Sequence, residues 1–318
     1  MKNKNEKVTV PKKTFSQQLA KAKSYWQLYV FLIPCILYFG IFRYAPMGGL
    51  QMAFKDYNVV QGVWGSPWVG FKHFIRFFES PDCWNVISNT LKISILSLIL
   101  GFPLPILVAL LLNQCRSKRF GKVVQTTIYA PHFISAVIIV GMLNLFLSPS
   151  SGVINKIIEL FGGEAVMFMG SASMFPAIYV ISEIWQNTGY SSIVYTAALS
   201  GVSPELHESA IMDGATVWQR IRYIDLPSIM PTIIILLIMN TGRVLTVGYE
   251  KIYLMQNSLN LSSSEVISTY VYKQSLGSAT RPNFSYSAAI GFFESVVSLV
   301  LLMIVNKISA KVADMSLV

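Results

Sequence analysis

Residues 195–231 read YTAALSGVSPELHESAIMDGATVWQRIRYIDLPSIMP, a polar and charged stretch set between two long apolar runs. Ser203-Pro204-Glu205 predicts a helix start. Serine caps, proline suits the first helical position, and glutamate favours the positive end of the helix dipole. The helix is expected over 204–213. Gly214 then lets the chain turn, having no Cβ to clash. A second short helix over 215–223 leads to Pro227 at the start of the next apolar run. Two short helices meeting at a small residue make a compact knob, which can pass a push to a neighbouring helix where a floppy loop cannot. Small Ser209, Ala210, Gly214 and Ala215 allow close packing at its base.

The apolar runs on either side set the fold class. Apolar residues make up 53% of the chain and charged residues 13%, against about 25% charged in ordinary soluble domains. A bilayer core about 30 Å thick is crossed by about 20 apolar residues in a helix. Six runs qualify: 26–47, 86–112, 127–147, 174–194, 228–249 and 285–306. Each is continuously apolar without the alternation of a membrane barrel, so an all-α membrane protein of six spans is expected. The first run is too long for the apolar region of a signal peptide and no small-x-small cleavage site follows, so it reads as a retained helix.

Lysine and arginine orient the spans. Fifteen fall in the segments 1–25, 113–126, 195–227 and 307–318, and eight in the longer loops on the other side. The positive-inside rule then places both termini and the 195–231 stretch in the cytoplasm. The net charge of +10 is largely this topogenic lysine and arginine, and a nucleic-acid partner is disfavoured because the basic residues flank apolar spans.

The chain divides into a basic cytoplasmic tail (1–25), a first span with an external aromatic-rich loop (26–85), a core (86–306) that contains the 195–231 loop, and a cytoplasmic tail (307–318). The tail's lysines suit anionic lipid headgroups. Trp64, Trp68, Phe71, Phe74, Phe77, Phe78 and Trp84 suit the outer interface, and a partner protein can use the same rings. Gly101, Pro103 and Pro105 predict a break in the second span. An amphipathic piece is expected over 153–161 and a helix over 263–276 capped by Ser262. Cys35, Cys83 and Cys115 are isolated and lack metal-ligand spacing.

Within the knob, Glu205, Glu208-Ser209-Ala210, Asp213-Gly214-Ala215, Arg220, Leu226-Pro227 and Pro231 fall in an order that resembles the Glu-Ala-Ala loop of ATP-binding-cassette (ABC) importer permeases. Trp185, Gly189 and 195–199 are similar to carbohydrate-uptake permeases. Residues 248–257 and 269–272 look like the subgroup that imports complex oligosaccharides, most familiar in Gram-positive bacteria. The likeness covers the chain from about Tyr25 onward. Ser209 stands where the family has its first alanine, and Ile221 where an aromatic often follows the arginine. The resemblance implies a type I ABC importer permease in the cell membrane. It implies a second homologous permease, two ATPase subunits that carry ATP and Mg, an extracellular substrate-binding lipoprotein and an oligosaccharide substrate. It also implies that the loop docks into a groove of the ATPase. The chain has no G-x-x-x-x-G-K-[ST] phosphate loop, so ATP hydrolysis falls to another chain, and no cofactor is expected on this one. A membrane enzyme is disfavoured, because His73, His132 and His207 are dispersed and no catalytic constellation appears.

Three ionisable residues fall inside expected spans. At 1.5 Å per residue, Glu183 and Glu294 lie roughly 14 Å below the outer helix ends and Arg243 roughly 9 Å. Charge in lipid is costly, so such residues face a bundle interior or a water-filled path. Glu183 and Asn187 share a stripe with Gln186 and Tyr190, and Asn240 shares one with Arg243. With Tyr249 and Trp185, these residues can offer a sugar planar hydrogen-bonding groups and rings, although Trp185 points off the stripe. A structural Glu–Arg pair without substrate contact is the other reading. A permease of the same class for a polyamine or peptide, or an ion-coupled carrier using Glu183, Arg243 and Glu294 as a relay, are the alternatives. The carrier is weakened by the lack of an internal repeat.

Overall fold

A backbone inside a bilayer has no water to bond, so apolar runs close their hydrogen bonds within helices. The computed structural model describes residues 25–115, 117–277 and 282–313. Among these it has no strand, only an isolated antiparallel bridge between Lys55 and Trp68. Most of the basic tail, Arg116, Arg281 and the last five residues, which the orientation argument used in part, lie outside the described residues.

Of the described residues, 25–51 form a unit of their own. Its helix α1 (Trp26–Phe39) runs into a π-turn (Gly40–Tyr44) and a 3-10 stretch (Ala45–Phe54). No residue of α1 is buried. A helix that is apolar all round and uncovered has the character of a lipid-facing span.

The second unit begins at Met52. Its helices are α2 (Gly62–Gly65), α3 (Lys72–Glu79), α4 (Cys83–Gly101), α5 (Pro103–Asn113), α6 (Lys118–Tyr129), α7 (Ala136–Phe146), α8 (Val153–Leu160) and α9 (Phe175–Leu199). Then come α10 (Pro204–Met212), α11 (Val217–Arg220), α12 (Leu226–Thr241), α13 (Tyr249–Met255), α14 (Leu261–Ser264), α15 (Ile267–Ser275) and α16 (Phe284–Ala313). Among the described residues, four helical stretches are long and apolar enough to cross a bilayer: Trp26–Phe54, Cys83–Asn113, Val217–Thr241 and Phe284–Lys311. A fifth is the pair Lys118–Phe133 and Ala136–Phe146 taken as one bent span.

The spans differ from expectation in instructive ways. The second breaks at Phe102, between Gly101 and Pro103, as the glycine and prolines predict. The third is not straight. Pro131 lacks an N–H, a 3-10 turn follows (Ala130–Phe133), and Ser135 restarts the helix by accepting from the Ile138 N–H, so the two halves meet at 97°. The fourth, α9, is 25 residues long, about 37 Å at 1.5 Å per residue, but its polar stripe leaves it short of the apolarity of a lipid-facing helix. It has no need of that apolarity, because α4, α5, α6 and α12 pack around it. A Cβ on Gly189 would stand 2.0 Å from the Ile128 carbonyl oxygen, so only glycine lets α9 and α6 come this close.

The fifth span starts earlier and stops earlier than expected. It runs from Val217 through a π-turn (Ile221–Asp225) to Thr241. The second helix of the knob is therefore the first turn of the span. Residues 242–245 are a turn and 246–248 have no regular structure, so Arg243 and Tyr249 lie beyond the helix, and the depth assigned to Arg243 does not hold. The last span continues to Ala313, with Lys307 and Lys311 on its final turns.

The loop after the fifth span belongs to the core. The helix expected over 263–276 is two helices parted at Glu265-Val266, and Ser262 lies inside α14 instead of capping. Ile252, Met255, Val266 and Ile267 are buried. The Asn89 amide donates to the Ser262 and Glu265 carbonyls at 2.9 and 3.1 Å, and Thr90 Oγ1 accepts from the Ile267 N–H at 2.9 Å. Amides of Asn257 and Asn260 reach the Met169 carbonyl at 2.7 and 2.9 Å. These bonds gather the loops at the end of α9 away from the knob.

Candidate functional site

Polar side chains on α9 need partners wherever they face other helices. Beside them lies a cavity of about 550 Å³. Glu183, Asn187, Asn240 and Arg243, four of the seven path residues expected from sequence, come together on its wall. Trp185, Tyr249 and Glu294 do not line it. Trp185 is 50% exposed on another face of α9. Tyr249 opens α13, with its ring 4.9 Å from that of Tyr272. Glu294 lies on α16, off that wall.

Glu183 does not pair with Arg243 or join Glu294. Its Oε2 lies 3.1 Å from Lys251 Nζ, and its Oε1 accepts from Asn187 Nδ2 at 2.6 Å. Lys251 is buried and donates also to Gln186 Oε1 at 3.1 Å. Burial pulls its ammonium below the ordinary lysine value, against the Glu183 carboxylate, which raises it. On the other side, Asn187 Oδ1 meets His132 Nδ1 at 2.8 Å, and the His132 ring stacks on Tyr190 at 3.9 Å with planes 7° apart. Gln186 Nε2 donates to the Ile134 carbonyl at 3.0 Å. The polar stripe of α9 thus pins both the bend of the third span and the start of α13.

Arg243 stands on the turn after α12. Among the described residues no carboxylate pairs with it. The Asn240 amide donates back to the Leu236 carbonyl of its own helix at 2.9 Å. Carboxylate, amides, guanidinium and the Tyr190 ring around one space can bind hydroxyl groups and sugar faces at modest strength.

The knob is built by local bonds. Ser203 Oγ accepts from the Glu205 N–H at 3.3 Å. Gly214 adopts φ +78°, and the Ala215 N–H reaches the Ala210 carbonyl at 2.8 Å while the Gly214 N–H reaches that of Ile211 at 3.0 Å. This is a glycine-closed helix end, and a side chain at 214 would be strained. Thr216 and Gln219 then cap each other reciprocally at the start of α11. Glu205, Glu208, Ser209, Asp213 and Gly214 are exposed, whereas Ala210, Ala215 and Arg220 are partly covered. The surface is markedly apolar for a polar loop: Met212 is 86% exposed and Trp218 71%, flanked by Leu206, Ile211 and Tyr223.

Residues 101–314 match the family described as binding-protein-dependent transport system inner membrane component. The chain belongs to this family. The permease fold extends beyond the matched segment. A crystal structure of a bacterial ABC transporter involved in the import of the acidic polysaccharide alginate holds a chain 44% identical, with a TM-score of 0.84 over 93% of this chain and 99% of that one. A second crystal structure, of bacterial alginate ABC transporter in complex with alginate pentasaccharide-bound periplasmic protein, matches at 43% identity and TM-score 0.84 over 94% and 99%. Among proteins of Bacillus subtilis (strain 168), Protein LplB is 43% identical over 312 residues, 95% of this chain and 97% of that protein. The polygalacturonan/rhamnogalacturonan transport system permease protein YteP is 42% identical over 90% and 88%. The resemblance read from the 195–231 loop is borne out, as is the all-α type I permease fold.

The permease holds site residues that sequence reasoning missed. Lys251 was assigned to an external loop, although Ile252, Leu254 and Met255 beside it signalled a buried face. His132, set aside as one of three dispersed histidines, lies in the 3-10 turn of the third span and joins the α9 stripe. Asp225, directly before Leu226-Pro227, went unremarked and lies 3.2 Å from His207, which was read only as one of three dispersed histidines.

Proposed function

We propose that this permease lines half of the path of an ATP-driven, binding-protein-dependent importer of oligosaccharides, and that it couples to the motor through the 195–231 loop. The observation that carries the reading is the knob. Its backbone is closed on itself, its apolar surface is uncovered, and its second turn is continuous with the fifth span. Such a surface calls for a partner, and the family supplies one: two ATPase subunits, with ATP and Mg on them and no bond chemistry on this chain. A second homologous permease closes the cavity, and an extracellular lipoprotein delivers the sugar. Both termini lie in the cytoplasm, and the cell is Gram-positive. ATP binding closes the motor, the knobs move and the cavity opens outward. Hydrolysis resets it.

The proposed substrate is acidic. Lys251 neutralises Glu183, so Arg243 remains on the cavity wall without a carboxylate among the described residues. An anionic sugar supplies that charge. A polyamine is disfavoured by the same guanidinium. Gly214→Trp tests the docking reading: the permease pair should assemble, while uptake and sugar-stimulated ATP hydrolysis are lost. Normal uptake in that variant overturns it. Arg243→Gln tests the charge: uptake of an oligouronate should fall while a neutral oligosaccharide of equal length is unaffected. An equal effect on both makes the substrate neutral.

A further inference from the structure

Asp225 is fully buried where the knob becomes the fifth span. A carboxylate leaves water only at high cost unless its oxygens are bonded, and here both are. Oδ2 accepts from Gln114 Nε2 at 2.7 Å. Oδ1 accepts from Asn113 Nδ2 at 3.2 Å and lies 3.2 Å from His207 Nε2. Asn113 ends α5 and Gln114 follows it, so two donors come from the inner end of the second span. His207 is on α10, the exposed helix of the knob. Among the described residues, its bond to Asp225 is the side-chain hydrogen bond or ion pair that joins α10 to another element.

The backbone is arranged for this meeting. Asp225 closes the π-turn Ile221–Asp225, after which the regular α-helix resumes. A π-turn carries one extra residue, and one residue of helix turns about 100°. The extra residue therefore decides that Asp225, and not its neighbour, faces α5 and α10. Its burial together with Ile221 marks the inward side of that turn.

We propose that Asp225 is the latch through which α10 moves the inner ends of the second and fifth spans as one body. It is a positioning residue for coupling and touches neither motor nor sugar. This rests on reading the knob as the motor-docking element. When α10 shifts in its groove, the His207–Asp225 bond carries the shift to α12 directly and to α5 through Asn113 and Gln114. Without it, no side-chain hydrogen bond or ion pair among the described residues joins α10 to the spans.

The test uses the complete complex, with both permeases, both ATPases and binding protein, in proteoliposomes. In His207→Ala the ATPase subunits should stay bound while sugar taken up per ATP hydrolysed falls about tenfold. His207→Gln keeps an N–H donor of similar reach and should recover most of that ratio. Asp225→Asn keeps the shape of the side chain and loses its charge. It should uncouple like His207→Ala, again with the ATPases retained, and it serves where one variant assembles poorly. An unchanged ratio in His207→Ala overturns the latch, as does an equal loss in His207→Gln. Loss of bound ATPases in both His207→Ala and Asp225→Asn also overturns it, since the pair then serves docking or assembly. Gly214→Trp separates the two readings. If it abolishes uptake while His207→Ala couples normally, docking stands and the latch falls. If it transports normally, the docking reading itself is gone.

Discussion

Along the cavity, polar side chains of α9 are held from other elements: Glu183 by Lys251, Gln186 by the Ile134 carbonyl and Asn187 by His132. Along the knob the bonds are mostly local, from Ser203 to the residue two further on and from Thr216 to Gln219, with His207 to Asp225 as the longer-range one, while Met212 and Trp218 stand uncovered. The difference follows from what surrounds each region. A bilayer offers no water, so a polar group inside the bundle must find a protein partner. The knob's surface is exposed, so it needs only a fixed backbone, and on the proposed docking reading that surface stays free for the motor.

The largest contrast between the two regions is the compartment each faces. In a background lacking Cys35, Cys83 and Cys115, Ser262→Cys sits with the loops beyond the cavity and Ser117→Cys at the end that carries the knob. An impermeant thiol reagent on intact cells should label the first and leave the second unmodified until the cells are opened. Equal labelling breaks the assignment. The next effect is on stability. Lys251→Met strands the Glu183 carboxylate, whose side chain is 35% exposed, and should cost about 3 kcal/mol. Adding Glu183→Gln should restore most of it. The matching change on the knob, Glu208→Ala, should stay within about 0.5 kcal/mol. Thermal unfolding of the purified complex reads all three, and a similar loss in both regions would erase the distinction.

Smaller effects sharpen the picture inside each region. Asn187→Ala removes bonds to Glu183 and His132 and should lower uptake about tenfold, whereas Asn240→Ala, which frees only a carbonyl of its own helix, should lower it about threefold. Uptake of labelled sugar in vesicles decides between them, and the reverse order would move the path towards α12. Least of all, Ser203→Ala removes one cap, worth about 1 kcal/mol to α10. Amide exchange should quicken at Leu206 and His207 with little change in uptake. Unaltered exchange would mean that the cap is idle.

Features that rest on neighbours in the chain were legible from the residues alone. Ser203-Pro204 starts α10, Gly214 closes it and Gly101-Phe102-Pro103 breaks the second span, because capping, positive φ and a missing N–H are local chemistry. Misreadings came where hydropathy had to stand for position. Apolar Val244, Leu245 and Val247 extended the fifth span on paper, although Gly242 and Gly248 bracket a turn. Partner choice was not legible at all. Glu183 had Arg243 and the amides of Gln186, Asn187 and Asn240 within plausible depth, and only the packing of the loop after α12 selects Lys251. Likewise nothing local ties His207 to an acid eighteen positions on, since that contact depends on how α10 folds back against the end of α5.

The continuity of the helix from Val217 to Thr241 has a mechanical consequence. Twenty-five residues make a rod about 37 Å long. Rocked by about 5° at its knob end, such a rod sweeps its far end through roughly 3 Å, about one hydrogen-bond length. Asn240 rides at that far end, with Arg243 just beyond it. If the knob docks the motor and these two side chains meet the sugar, as proposed, a stroke too small to unseat the knob would be long enough, after this leverage, to exchange one set of contacts for another.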